Sequence, residues 1–156
     1  MTVVEGMLAL AVLEVAVVAV SYAVVAGNTH SHAGDQTLWA VDLAELMAEE
    51  ILRLPYEDPD GPSVPGPDAG ESGRTTFDNL DDYDGHSEAP GSLSNLVGDP
   101  YEQKAQAFTR TVGVLYGDQT VPDLAQTLPG LTLTIIVQDD HGTPVTVSHF
   151  VPEPAP

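Results

Sequence analysis

From Thr2 to Ala26 nearly every position is apolar, with Glu5 and Glu14 as the charged interruptions. About 20 consecutive apolar residues suffice for a helix to cross a bilayer. A helix that is apolar all round belongs in lipid or in the core of an assembly. No proline occurs between residues 2 and 54, so the pattern predicts one long helix over about 1–54. At 1.5 Å per residue it would run roughly 80 Å. Its first half is rich in valine, which lowers helix propensity in water without precluding a helix in an apolar setting. Gly27 and Asn28 open a stretch to Gly34 where the helix leaves the apolar phase. A hydrophobic helix at 1–27 and a globular part at 28–156 follow from this change.

The second half of the helix is amphipathic. Ala40, Ala44, Met47, Ile51 and Leu54 recur at spacings of three and four, with Asp42, Glu45, Glu49 and Arg53 on another face. Glu49 and Arg53 stand at the favourable i,i+4 spacing. Pro55 stops the helix. Residues 55–100 are rich in Pro, Gly, Asp and Ser and predict a long loop. The rest reads as β structure. Phe108–Tyr116, Leu131–Val137 and Val145–Val151 alternate, and Leu131, Leu133, Ile135 and Val137 share one face. The sequence Asp139-Asp140-His141-Gly142 predicts a hairpin turn. The expected fold class is α+β: a long N-terminal helix packed on an antiparallel sheet over 107–151. That sheet has three strands, or four if part of the loop pairs. The tail from Val151 to Pro156 should be extended.

Composition narrows the function. The chain has 156 residues, a formal charge of −20, no cysteine, and Arg53, Arg74, Lys104 and Arg110 as its permanent side-chain cations. Beyond the helix, about 100 residues remain, enough for one modest core. So acidic a surface repels nucleic acid and anionic headgroups and attracts divalent cations and basic partners. It also suits a salty medium, where screening weakens self-repulsion. No disulfide can staple the domain.

Glu5 requires a separate explanation. An ionised carboxylate in hydrocarbon costs several kcal/mol unless compensated. No Lys or Arg precedes Arg53, so the candidate cation is an α-amino group, this chain's own or a neighbour's. A cleaved signal peptide would have a shorter apolar core preceded by basic residues. A plain transmembrane anchor fits the length but leaves Glu5 and Glu14 unexplained.

The segment Met1-Thr2-Val3-Val4-Glu5-Gly6-Met7-Leu8-Ala9-Leu10 and its apolar continuation resemble the mature N-terminus of type IV pilins and type II secretion pseudopilins. In those families a glutamate at the fifth mature position opens a long apolar helix. The resemblance covers residues 1 to about 26. It implies a type IV pilin-like fold, exposure of Met1 by prepilin peptidase, and N-methylation of Met1. It also implies an assembly role for Met1 and Glu5. The Glu5 carboxylate would pair with the α-ammonium of a neighbouring Met1 and set register, because an unpaired buried charge penalises wrong docking. The family often has a glycine near position 14 and a proline soon after. Here Glu14 stands and no proline precedes Pro55. Glu14 could pair with a neighbour, bind water or be protonated, and Ser21 or Gly27 would be the site of any melted turn.

A finer resemblance lies in two blocks within residues 48–85. Ala48-Glu49-Glu50-Ile51-Leu52-Arg53-Leu54-Pro55-Tyr56 and Gly73-Arg74-Thr75-Thr76-Phe77-Asp78-Asn79-Leu80-Asp81-Asp82-Tyr83-Asp84-Gly85 look like MshD-type minor pilins of the mannose-sensitive haemagglutinin pilus system.

The acidic loop is the other candidate for chemistry. Asp78, Asp81, Asp82 and Asp84, with Glu57, Asp58 and Asp60 upstream, are hard oxygen donors of the kind Ca²⁺ takes. The spacing fails the EF-hand pattern, since Leu80 stands where an acid is needed. The alternative is a solvated loop whose aspartates cap turns. His30 and His32 lie two apart on different helix faces, and His86, His141 and His149 are scattered, which disfavours zinc. No phosphate loop, nucleophile elbow or catalytic triad is legible, so no enzyme is expected.

The expected function is a structural subunit of an extracellular type IV pilus-like filament. It would be held in the inner membrane as a precursor and would assemble as a homo-oligomer through its N-terminal helix. Prepilin peptidase and a pilus assembly machinery are the partners this implies, with no nucleic acid. One alternative is a minor pilin or a secretion pseudopilin. Another is a membrane-anchored cation-binding module that never polymerises.

Overall fold

The computed structural model describes residues 2–59, 65–122, 125–140, 142 and 144–154. One helix, α1 (Val3–Ile51), opens the chain, and four strands follow: β1 (Ser87–Glu88), β2 (Phe108–Val121), β3 (Gln126–Asp139) and β4 (Val145–Pro152). The fold is α+β, with a single antiparallel sheet ordered β1-β2-β3-β4. Two units are distinguished along the chain, Met1–Gln36 and Thr37–Pro156.

In the first unit α1 is long and apolar enough to cross a membrane. It runs unbroken through Ser21, Gly27 and Gly34. Large apolar side chains such as Leu8, Leu10, Val15 and Tyr22 lie exposed along it. Two of its hydroxyls are satisfied within the helix: Ser21 Oγ donates to the Val17 carbonyl at 2.8 Å, and Thr29 Oγ1 to that of Ala26 at 2.9 Å. Such back-bonding removes the unpaired donors that an apolar surrounding would penalise.

In the second unit the end of α1 supplies one wall of the core. Ala40, Leu43, Ala44, Met47, Ala48 and Ile51 are buried, at the spacing of one helical stripe. The helix ends at Ile51, three residues before its expected stop. The Leu54 N–H bonds the Ile51 carbonyl at 3.0 Å, tightening the last turn ahead of Pro55. The inner sheet face adds Phe108, Val112, Val114, Leu131, Leu133, Ile135 and Val137 to the core, and the segment between α1 and β2 adds Leu80, Tyr83, Leu93 and Ala105. Val145, Val147 and Val151 of β4 pack against it half-buried.

β2 and β3 pair without interruption from Phe108↔Asp139 to Val121↔Gln126, well past the expected ends at Tyr116 and Leu131. Gly117, Pro129 and Gly130 read as strand breakers, yet Gly117 faces Gly130 and Asp118 faces Pro129 in the ladder. The loop supplies the fourth strand, Ser87 and Glu88 pairing with Thr111 and Arg110. Asp139 accepts the Gly142 N–H at the turn before β4, and His141 lies outside the described residues. The tail from Glu153 remains tied to the sheet through its N–H on the Pro129 carbonyl, at 2.9 Å.

Candidate functional site

At the head of α1, Glu5 and Thr2 hold each other. The Thr2 N–H donates to Glu5 Oε2 at 2.7 Å, and the Glu5 N–H points at Thr2 Oγ1 at 3.4 Å. This is a capping box: the side chain three residues into the helix returns to the cap, and two otherwise orphaned backbone donors are satisfied. The positive end of the helix dipole also favours a carboxylate there. The Thr-x-x-Glu spacing was legible in the sequence, and it gives Glu5 a role within a single chain. Glu14 is exposed on the apolar stretch. Met1, the other residue of the expected assembly pair, lies outside the described residues.

The acidic loop gathers some of its expected residues and disperses others. Glu71, Asp78 and Asp82 each offer a carboxylate oxygen, all within 4.8 Å of one another. Local turn chemistry sets them there. Asp82 Oδ2 accepts the N–H groups of Asp78 and Asn79, at 2.8 and 3.0 Å. Asn79 Oδ1 accepts those of Asp81 and Asp82, at 2.9 and 3.1 Å. Glu71, not singled out by the sequence, joins by accepting the Asp68 N–H at 2.8 Å. Asp81 is buried and lies instead near the Tyr116 hydroxyl and the Gly66 backbone, both of which favour its anion. Asp84 turns away, its Oδ1 accepting the Val114 N–H of β2 at 2.9 Å. Asp58 sits beside Asp68, Glu57 is exposed, and Asp60 is outside the described residues.

This crowding raises proton affinity. Asp68, Glu71 and Asp81 are all held above the ordinary carboxylate range, first by loss of hydration and then by neighbouring carboxylates. For Asp68 the neighbour is chiefly Asp58; for Glu71 they are Asp82 and Asp78; for Asp81 it is Asp82. Burial and the nearby Asp81 push the Tyr116 hydroxyl up to about 12. Chemically, the three converging carboxylates offer hard oxygens, part of the shell that a Ca²⁺ ion takes.

A second charged group, which sequence reasoning missed, is buried under the sheet. Arg110 Nε donates to Glu88 Oε2 at 2.7 Å, and its Nη1 donates to the Leu43 carbonyl of α1 at 3.0 Å. Its guanidinium lies 5.6 Å from the centre of the Tyr101 ring. Arg74 bridges the other Glu88 oxygen, at 2.9 Å, to Glu50 of α1, which it grips through Nε and Nη2 at 2.8 and 2.6 Å. The Tyr83 hydroxyl donates to Glu50 Oε1 at 2.7 Å. Burial by itself would raise the Glu50 pKa, but the bonds from Arg74 and Tyr83 outweigh it and hold it below its ordinary value. Two arginines and two glutamates thus tie α1, the loop, β1 and β2 together. One signal was present: Arg110 falls at an inward position of the Phe108, Val112, Val114 alternation, where a cation requires buried partners. The quartet is neutral, so the whole −20 resides elsewhere, with Arg53 and Lys104 as the remaining permanent side-chain cations.

Comparison with known protein families, with curated proteins and with solved structures found no match to this chain.

Proposed function

We propose that this chain is a membrane-anchored subunit of a pilin-like filament, held in the membrane by the first part of α1 and assembled through it. The observation that carries the reading is one continuous helix with two characters. Its first half is apolar around its circumference, with a carboxylate in the first turn. Its last turns form a wall of the core of a small antiparallel-sheet domain. In assembly, apolar helices would leave the lipid and pack together. Glu5 would then exchange the Thr2 N–H for the α-ammonium of a neighbouring Met1. Localisation on the cell surface as a filament, and processing by prepilin peptidase, belong to this same proposal.

Glu5→Gln tests it, because glutamine keeps the capping box while removing the charge. Membrane insertion should persist and filaments should fail to form. Normal filaments from Glu5→Gln would contradict the charge-pairing role. The capping box itself favours a second reading, an anchored module that never polymerises, since it accounts for Glu5 within one chain. That reading expects Glu5→Gln to behave as wild type throughout. A minor pilin or pseudopilin shares the primary reading and differs by its abundance at the cell surface.

A further inference from the structure

The sheet has two faces, and the outer one differs from the acidic surface that the second unit otherwise carries. The pairing register places Leu115, Thr132 and Phe150 in one row across β2, β3 and β4. The next row is Gly113, Thr134 and Ser148, and the next Thr111, Ile136 and Thr146. No outer-face position of these three strands carries a charge, although the chain has 24 Asp and Glu residues. Leu115 is 73 % exposed and Ile136 39 % exposed on this face.

We infer that the outer sheet face is where a second copy of this chain docks, face to face. Electrostatics selects the occupant. Two copies carrying −20 each repel over the surfaces where acids meet acids. The uncharged face lets them approach without placing like charges in contact. Its counterpart on the neighbour must be uncharged as well; with the apolar part of α1 taken up by the membrane in the anchored chain, this points to the same face and so to an isologous, two-fold contact. A basic protein would instead be steered to the acidic remainder of the surface. Its size sets the strength. Three strands about 4.8 Å apart, each with roughly eight paired residues rising about 3.3 Å, present on the order of 400 Å². That is about half of what one partner contributes to a standard stable interface. The contact is therefore weak in free solution and works when anchoring raises the effective concentration of copies. The inference rests on the membrane-anchored part of the proposed function and not on filament formation.

The absence of cysteine makes the test clean, since an introduced thiol reports one position. Full-length Ser148→Cys and Thr146→Cys would be treated in membranes with a bis-maleimide, beside Ser72→Cys on the acidic loop. Covalent homodimers are expected from the two sheet positions and not from Ser72→Cys. Adding Leu115→Asp, or independently Thr111→Asp, to Ser148→Cys should lower the dimer yield about tenfold by placing acids face to face. Thermal melts would confirm that these variants fold, and alkaline extraction that the chain is anchored, so failure of anchoring is read separately. Equal cross-linking from Ser72→Cys, adducts only with other proteins, no dimer from an anchored chain, or yields unchanged by both aspartates would each overturn the inference.

Discussion

Arg110 and Glu88 face each other across the β1–β2 ladder, Nε to Oε2 at 2.7 Å, with the arginine side chain wholly removed from solvent. Breaking such a pair from one side leaves an uncompensated buried charge, which typically costs about 3–5 kcal/mol. Glu88→Gln should therefore destabilise the domain by that order, since Glu88 also serves Arg74. Replacing both partners with apolar residues of similar volume should lose much less. Denaturant unfolding of the single and double variants checks this. A double variant as unstable as Glu88→Gln would show that the charges themselves stabilise the fold.

Asp81 is held above its ordinary value of 3.8 by burial and by Asp82. A carboxyl whose folded pKa is raised contributes stability that is complete below its unfolded pKa and is lost as pH rises through the folded one. Asp81→Asn keeps a hydrogen-bond acceptor and removes the charge. The variant should melt higher than wild type at pH 7. The difference should close as pH falls through the raised Asp81 value toward 3.8. Melting curves across that range check it, and a constant difference would place the effect in packing.

His86 lies edge-on to Phe77 and Tyr83, with ring centroids 6.1 and 5.9 Å away, and burial holds its pKa below 6.5. Arg74 and Arg110 also disfavour its cation, while Glu88 and Glu50 favour it. The unfolded chain binds the proton more readily, so stability falls as pH drops through 6.5 toward the lower folded value. His86→Phe should keep the ring contacts and lose this dependence. Its stability relative to wild type should rise as pH is lowered from 7 through 6, measured by thermal denaturation.

A Cβ added at Gly130 would collide with the Val151 carbonyl and the Phe150 ring. Backbone cannot yield there without disturbing the β3–β4 ladder. Gly130→Ala should cost about 1–3 kcal/mol, the usual penalty for overpacking. Gly113→Ala, on the same face with open space around it, should cost less. Parallel unfolding of the two variants checks the contrast.

Much of the architecture was legible because it follows from periodicity. The stripe Ala40, Ala44, Met47, Ile51 and the inner row Leu131, Leu133, Ile135, Val137 are buried as their spacing predicts. Glu49 and Arg53 meet at 3.6 Å, as their i,i+4 placement foretells. The outer half of the β2–β3 hairpin was not legible. Beyond Tyr116 both faces are solvated, so no apolar alternation marks the strand, and pairing alone maintains it. The acidic loop shows the limit in another way. Spacing could nominate Asp78 and Asp82, but Glu71 arrives through a turn and Asp84 departs to the β2 backbone. The Glu50–Arg74–Glu88–Arg110 quartet joins residues up to 60 positions apart, which no local pattern encodes.

In the proposed function α1 first anchors the chain and then assembles it. Electron cryo-microscopy of the natively purified protein tests this most directly. Helical filaments are expected, with a core of N-terminal helices and Glu5 beside the Met1 amino group of a neighbour. Dispersed, detergent-bound single copies, with Glu5 still capped by Thr2 and no filament in native material, would contradict it.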